Sequence, residues 1–96
     1  MIRHVALLKW KDGTTEAQVI AIEARLRQMP DVMPFLRRYE LGPDLGITGN
    51  HDLAIVADFD SVHDYLAYAD HPDHKALIAE LIAPVLESIS RVQYTV

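Results

Sequence analysis

The chain has 96 residues, is 50% hydrophobic, contains no cysteine and carries a formal net charge of −5 at pH 7. This composition supports one globular domain over residues 1–96 and excludes a disulfide framework, a thiol nucleophile and a thiolate metal site. Because the chain is acidic and no apolar run approaches the roughly 20 residues that span a bilayer, we expect a soluble, cytoplasmic protein that binds neither nucleic acid nor membrane.

The chain begins with a predicted strand and helix. Residues 2–10 alternate with a period of two, which is typical of a strand, and both faces of this strand are largely apolar. Thr15 and Gln18 form a capping box, in which each side chain bonds the backbone N–H of the other residue. We therefore expect a helix that starts after Thr15 and ends by Pro30.

The middle of the chain predicts two strands separated by a long loop. Residues 31–36 contain a proline and indicate an irregular connection, and residues 37–41 indicate a short strand. Three glycines between residues 42 and 49 then predict a turn-rich loop. Residues 52–59 form the clearest strand, which is again apolar on both faces at its centre.

Two helical segments and a strand complete the chain. Ser61 and Asp64 form a capping-box signature at the start of the first segment. Pro84 lacks a backbone N–H, so it predicts a kink in the second segment. Residues 89–96 alternate and predict the last strand.

The two helical segments are separated within Tyr68-Ala69-Asp70-His71-Pro72-Asp73-His74. Pro72 disfavours helical geometry at His71 and suits the first turn of a new helix. Tyr68 then lies in the last turn of the first segment and His74 in the first turn of the second. The break therefore allows one pocket to use both side chains, and we expect any functional site here.

The element order β-α-β-β-α-β predicts an α+β protomer with a ferredoxin-like, four-stranded antiparallel sheet and helices on one face. Two helices cover only one face of the sheet, yet Val5, Leu7, Ala54 and Val56 make the opposite face apolar as well. We therefore expect a homodimer in which the two sheets cover each other. Alternatively, the strands are short and twisted enough for local loops to cover this second apolar face.

Several segments also resemble a known family. They are Ile2-Arg3-His4-Val5, the strand that ends in Asp58-Phe59-Asp60-Ser61, and Tyr65-Leu66-Ala67-Tyr68 followed by His71-Pro72-Asp73-His74. Over nearly the whole chain, they resemble the stress-responsive dimeric α/β-barrel (Dabb) family. The resemblance implies a ferredoxin-like protomer, a homodimer closed by the sheets, and an internal cavity between each sheet and its helices.

Within this family, the chain is similar to polyketide cyclases that perform an intramolecular aldol condensation without metal or organic cofactor. The resemblance implies that His74 is the general base and that Tyr68 assists at the enolate oxygen. Leu53 stands where the cyclases have a further cavity histidine, so the resemblance leaves the substrate open. We expect a small apolar, carbonyl-bearing ligand to contact His4, Ala6, Leu8, Leu53, Ile55 and His71.

Metal binding is a weaker alternative. Asp70, His71 and His74 are close in sequence, but a proline lies between the two histidines and no defined ligand set emerges. We therefore expect no metal and no other cofactor.

Two functional hypotheses follow. The first is a dimeric stress-response domain whose cavity is filled by side chains or binds a small apolar ligand, and the alternative is a cyclase-like enzyme. The named residues also have structural interpretations: His74 as a helix cap, Tyr68 as a packing residue and His4 as a core histidine. An open apolar cavity with His74 and Tyr68 directed inward favours the enzyme, and a filled core favours the binding protein.

Overall fold

A computed structural model describes residues 1–96. Four strands form one antiparallel sheet in the order β2-β3-β1-β4, with the helices packed on one of its faces. The strands are β1 (Ile2–Trp10), β2 (Arg38–Pro43), β3 (Leu53–Phe59) and β4 (Leu86–Thr95), and the helices are α1 (Glu16–Arg27), α2 (Met29–Val32), α3 (Val62–Asp70) and α4 (Pro72–Leu77). This is the predicted ferredoxin-like α+β architecture.

The inner face of the sheet, which faces the helices, forms the hydrophobic core. Alternate residues of β1 and β3 are buried on this face, as their period of two predicted. Ile22 of α1, Phe59 of β3 and Leu77 of α4 are fully buried in it. Burial of each such side chain contributes about 1.5–3 kcal/mol, so the core fixes the helices against the sheet.

Side-chain hydrogen bonds determine where two of the helices begin. At α1 both halves of the predicted capping box form: the Thr15 hydroxyl accepts from the Gln18 N–H at 3.2 Å, and the Gln18 side chain accepts from the Thr15 N–H at 2.8 Å. At α3 only the first half forms, with the Ser61 hydroxyl accepting from the Asp64 N–H at 3.2 Å. The predicted return bond from the Asp64 side chain to the Ser61 N–H is wrong. The Asp64 carboxylate lies instead 3.6 Å from Nδ1 of His63.

Two predicted boundaries in the middle of the chain are also wrong. Residues 29–32 form the short helix α2 instead of an irregular segment, because Pro30 suits the first turn of a new helix. β2 begins at Arg38 and continues to Pro43, two residues into the predicted loop. A proline is tolerated there because β2 is an edge strand of the sheet.

Pro84 ends the second helical segment, whereas the sequence predicted a kink within a continuing helix. After α4 the chain passes through a π-helical turn at Ile78–Ile82 and a 3-10 turn at Ala83–Val85, which contains Pro84. Because proline cannot donate a backbone hydrogen bond, the helix is not resumed beyond it. β4 therefore begins at Leu86, three residues earlier than predicted. None of the helices has the length and apolar composition needed to cross a membrane.

The outer face of the sheet, away from the helices, is apolar at its centre. Val5 of β1 pairs with Val56 of β3 and with Val92 of β4, and Leu7 pairs with Ala54. Val92 is 54% exposed and the other four are half-buried. We call these five residues the outer apolar face, and it contains all four residues named from the sequence.

The outer face also carries an ion pair at one end. Nε and Nη2 of Arg3 donate to the two carboxylate oxygens of Asp58 at 2.8 and 2.9 Å, across paired positions of β1 and β3. The Asp58 side chain is only 6% exposed, and its hydrogen bond with Arg3 lowers the pKa of the carboxyl group. The arginine therefore stabilises a carboxylate that water reaches poorly.

We expect Arg3→Gln to lower the midpoint of thermal unfolding more than Arg37→Gln does. Arg37 contacts Asp60 at 2.8 Å, but both of those side chains are about half exposed, so water solvates the carboxylate that remains. Circular dichroism melts of the two variants at pH 7 measure the difference. Equal shifts would show that the enclosure of Asp58 has no energetic consequence.

Candidate functional site

A cavity of about 290 Å³ lies between the inner face of the sheet and the break between α3 and α4. Its walls are mostly apolar, and β1 and β4, with Ile55 of β3, form its floor. Since the break places the end of α3 and the start of α4 over this floor, residues that are distant in the chain share one space. The predicted site residues that line the cavity are His4, Ala6, Leu8, Ile55, Tyr68 and His74.

Two predicted binding residues, Leu53 and His71, lie outside the lining of this cavity. Leu53 faces inward but is 2% exposed and packed in the core at the start of β3. His71 caps α4, because its Nδ1 accepts from the Asp73 N–H at 3.1 Å. The chain groups no three His, Asp or Glu side chains in a way that suits a metal ion.

A hydrogen bond fixes the ring of His74 at the cavity. Its Nδ1 lies 3.2 Å from the carbonyl oxygen of Ala69, and since a carbonyl only accepts, Nδ1 carries the ring proton. Nε2 of the neutral ring therefore has a free lone pair. Burial lowers the pKa of His74, and the hydrogen bond to Ala69 partly opposes this change. The ring is consequently available as a neutral base near pH 7.

Tyr68 lies beside His74, with 4.3 Å between the ring centroids. Its hydroxyl is 3.0 Å from the hydroxyl of Tyr39, and either group can donate. Burial raises the pKa of both phenols, that of Tyr39 to about 12, so both stay protonated at neutral pH. When Tyr39 donates to Tyr68, the proton of Tyr68 is free to bond an oxygen atom in the cavity.

His4 forms part of the cavity floor and is 6% exposed. Its Nδ1 accepts from the side-chain amide of Gln93 at 2.8 Å, so the neutral ring carries its proton on Nε2. Burial lowers the pKa of His4 to about 4, and the charges of Arg91 and His74 act in the same direction. His4 is therefore a neutral hydrogen-bond donor near pH 7.

Three residues of the site do not follow from the sequence reasoning above. Tyr65 lies three residues before Tyr68 on the same face of α3, a helical spacing that could have indicated it. Arg91 lines the cavity because it pairs with Ala6 across β1 and β4. Tyr39 reaches Tyr68 from β2. No local pattern signals the last two, because both depend on how distant segments pair.

A second, larger cleft of about 500 Å³ lies beneath the loop between β2 and β3. Leu7 and Ala54 of the outer apolar face line it, together with loop residues that include His51. Leu45 and Ile47 in this loop are 85% and 78% exposed. Neither His74 nor Tyr68 lines the cleft, so it is separate from the cavity that these two residues share.

Solved structures of other proteins share this fold. The chain is 44% identical to a dimeric ferredoxin-like protein of unknown function from Thermobifida fusca YX, with a TM-score of 0.89 over 99% of this chain and 90% of that chain. A Dabb family protein from Mesorhizobium loti MAFF303099 is 18% identical, with a TM-score of 0.83 over 99% and 95% of the two chains. The hydroxynitrile lyase of Passiflora edulis is 23% identical, with a TM-score of 0.85 over 99% and 92%. The last two show the fold alone.

The sheet order and the neighbouring structures define the class of protein as a ferredoxin-like α+β domain. The sequence pattern of the stress responsive A/B barrel domain (Dabb) family matches residues 2–96. The chain therefore belongs to the Dabb family, which confirms the resemblance seen in its sequence. No curated protein matches the chain.

We expect the free energy of unfolding to fall as the pH is lowered from about 6.5 to about 4. The pKa of His4 is about 4 in the folded protein and 6.5 ordinarily, so the unfolded chain takes up this proton first and is favoured at acidic pH. The loss from His4 is at most about 3 kcal/mol, and solvent screening at the cavity mouth reduces it. Urea denaturation at several pH values measures the profile.

The matched controls are two histidine variants. His4→Gln has no titratable group at this position, so its free energy of unfolding should change less with pH. The change that remains should come from His74, whose pKa is also lowered in the folded protein. His63→Gln should keep the profile of the wild type, because the His63 side chain is 91% exposed. A wild type whose stability is constant over this range, or an unchanged slope in His4→Gln, contradicts the prediction.

Proposed function

We propose that the protein binds a small apolar molecule with a carbonyl group in the cavity and catalyses proton transfer next to that carbonyl. His74 acts as the general base, and Tyr68 donates a hydrogen bond to the carbonyl oxygen. The proposal depends on one observation: a neutral imidazole with a free Nε2 and a protonated phenol line the same apolar cavity, with their rings 4.3 Å apart.

The reaction begins when Nε2 of His74 accepts a proton from the carbon beside the carbonyl, which leaves an enolate and an imidazolium. Negative charge develops on the carbonyl oxygen, where the Tyr68 hydroxyl stabilises it. Because burial raises the pKa of Tyr68, the phenol keeps its own proton during this step. The Ala69 carbonyl accepts from Nδ1 and so stabilises the imidazolium.

The enolate has two outcomes in such a site. Its carbon attacks a second carbonyl of the same substrate, which is the intramolecular aldol step of a polyketide cyclase-like enzyme, or, in a substrate with an adjacent carbon–carbon double bond, the dienolate is protonated at its far carbon in an isomerisation. In both cases the imidazolium of His74 returns the proton, to the new alkoxide or to carbon. A volume of about 290 Å³ lies at the lower end of the range for ligand pockets and favours a small substrate.

One observation favours binding without chemistry. Every fully buried side-chain nitrogen and oxygen has a hydrogen-bond partner within the chain, so the fold needs no ligand to satisfy a polar group that water cannot reach. A dimeric stress-response domain that binds a small apolar ligand is therefore the second candidate. The two candidates differ in whether a carbon-bound proton of the ligand exchanges.

We expect the wild type to accelerate exchange of the protons next to the carbonyl of a small thioester or β-diketone in deuterated buffer. His74→Ala should lower the rate of exchange by about 10²–10⁴-fold, because it removes the general base. Tyr68→Phe keeps the ring and removes the hydroxyl, so it should also slow the exchange. Proton NMR at pD 7 follows the loss of signal.

His63→Ala is the matched control, because this histidine is 91% exposed and outside the cavity. Its exchange rate should equal that of the wild type. Circular dichroism and elution volume establish that each variant keeps its fold and assembly. Exchange that is equally fast in wild type and His74→Ala, or absent in both, rejects the catalytic role and favours the binding protein.

The proposal includes a homodimer formed through the outer apolar face. This face would leave Val5, Leu7 and Val92 in contact with water in a lone protomer, which is unfavourable for large apolar side chains. The exposed Leu45 and Ile47 lie in the loop that borders the same face and extend the apolar surface. Structural neighbours described as dimeric support this assembly.

We expect a dimer at micromolar concentration, with an interface of at least about 1,000 Å². Val56→Glu should give a monomer or unfolded protein, because it buries an unpaired charge in the interface. Val32→Glu is the control, since Val32 is 46% exposed on α2, outside the outer apolar face. Light scattering at high dilution measures the mass, and a wild-type monomer or a dimeric Val56→Glu contradicts the prediction.

A further inference from the structure

Arg91 brings a positive charge to the mouth of the cavity. It pairs with Ala6 across β4 and β1, and both residues line the cavity, so Arg91 lies on the inner face of the sheet. The residue as a whole is exposed. Its position therefore combines contact with the apolar interior and access to solvent, as expected of a residue at a rim.

Arg91 also lacks a partner within the chain. Of the nine lysines and arginines, all except Lys11 and Arg91 lie within 4.0 Å of a carboxylate oxygen. Lys11 is exposed in the turn after β1 and does not line the cavity. Arg91 is therefore the one unpaired cation at the cavity, and its guanidinium is available to a ligand.

The cavity lining supplies no compensating charge. It contains no aspartate or glutamate, and its other ionisable side chains are His4, His74, Tyr65 and Tyr68. Burial is the main cause that lowers the pKa of His4, and the nearby charge of Arg91 acts in the same direction. The space thus has apolar walls and a net positive charge at its rim.

We infer that the site takes small amphipathic anions: an apolar, carbonyl-bearing body in the cavity and a carboxylate bound by Arg91 at its mouth. This inference rests on the proposed function, whose substrate class it specifies. The planar guanidinium of arginine offers parallel N–H donors that match a carboxylate in a two-point contact. The apolar part of the ligand is removed from water while its charged end stays at the rim.

Two probes test the inference because they differ only in charge. They are 4-oxo-4-phenylbutanoate and its neutral amide, 4-oxo-4-phenylbutanamide, which share the phenyl group, the ketone and the chain length. We expect the wild type to bind the acid about tenfold more tightly than the amide, since a charge-assisted contact is stronger than a neutral one. Titration calorimetry at low ionic strength measures both dissociation constants.

Arg91→Gln should weaken binding of the acid about tenfold and leave the affinity for the amide unchanged. Arg27→Gln is the matched control, because Arg27 lies on α1 outside the cavity and pairs only with Glu23 of the same helix. It should keep the preference for the acid. Arg91→Lys retains the charge without the planar fork, so part of the preference should remain.

A salt titration provides a readout that needs no variant. The affinity of the wild type for the acid should fall as the ionic strength rises, whereas the affinity for the amide should not. Equal affinities for acid and amide, an equal effect of Arg91→Gln on both, or binding of neither probe would overturn the inference.

The same samples separate this inference from the proposed function. Proton NMR in deuterated buffer follows exchange at the carbon next to the ketone of each probe. A preference for the acid that depends on Arg91, without exchange that depends on His74, supports the inference and rejects the catalytic role. Exchange that depends on His74 with equal affinity for acid and amide supports catalysis and rejects the inference.

Discussion

β1 is hydrogen-bonded along both of its edges, to β3 on one side and to β4 on the other. This pairing fixes the direction of each of its side chains, because successive residues of a strand point to opposite faces. His4 and Ala6 therefore face the helices, and Val5 and Leu7 face outward. A shift of one residue would exchange the two sets, so the cavity and the outer apolar face both depend on this register.

The electrostatics of the cavity follow from what surrounds it. Apolar walls disfavour charge, so the pKa of His4 and that of His74 are both lowered and both rings are neutral near pH 7. The same burial keeps the Tyr68 phenol protonated. Arg91 is not subject to this cost, because it stays in contact with solvent at the rim. The cavity thus holds neutral imidazole and phenol groups inside and a permanent positive charge at its rim.

The break between α3 and α4 gives these groups their orientation. His71 adopts an extended conformation, with φ of −61° and ψ of 135°, and Pro72 starts the next helix. The Ala69 carbonyl, near the end of α3, is then free to accept from Nδ1 of His74. The interruption that the sequence predicts is therefore also the feature that selects the tautomer of the proposed base.

Much of this protein is determined by local sequence. The alternation of β1 and β3, the cap at Thr15 and the helix break at Pro72 are predictable, because each depends on a few neighbouring residues. The family resemblance, and not these patterns, implies that His4 and His74 share one cavity. The family is evident from the same segments.

The tertiary structure decided what occupies the site. Leu53 has the predicted inward direction but is enclosed by the core, and the ring of His71 is used in a helix cap. Tyr39 and Arg91 join the site through strand pairing. Side-chain direction follows from local geometry, but the size of a cavity and the charge at its mouth depend on packing between segments that are far apart in the chain.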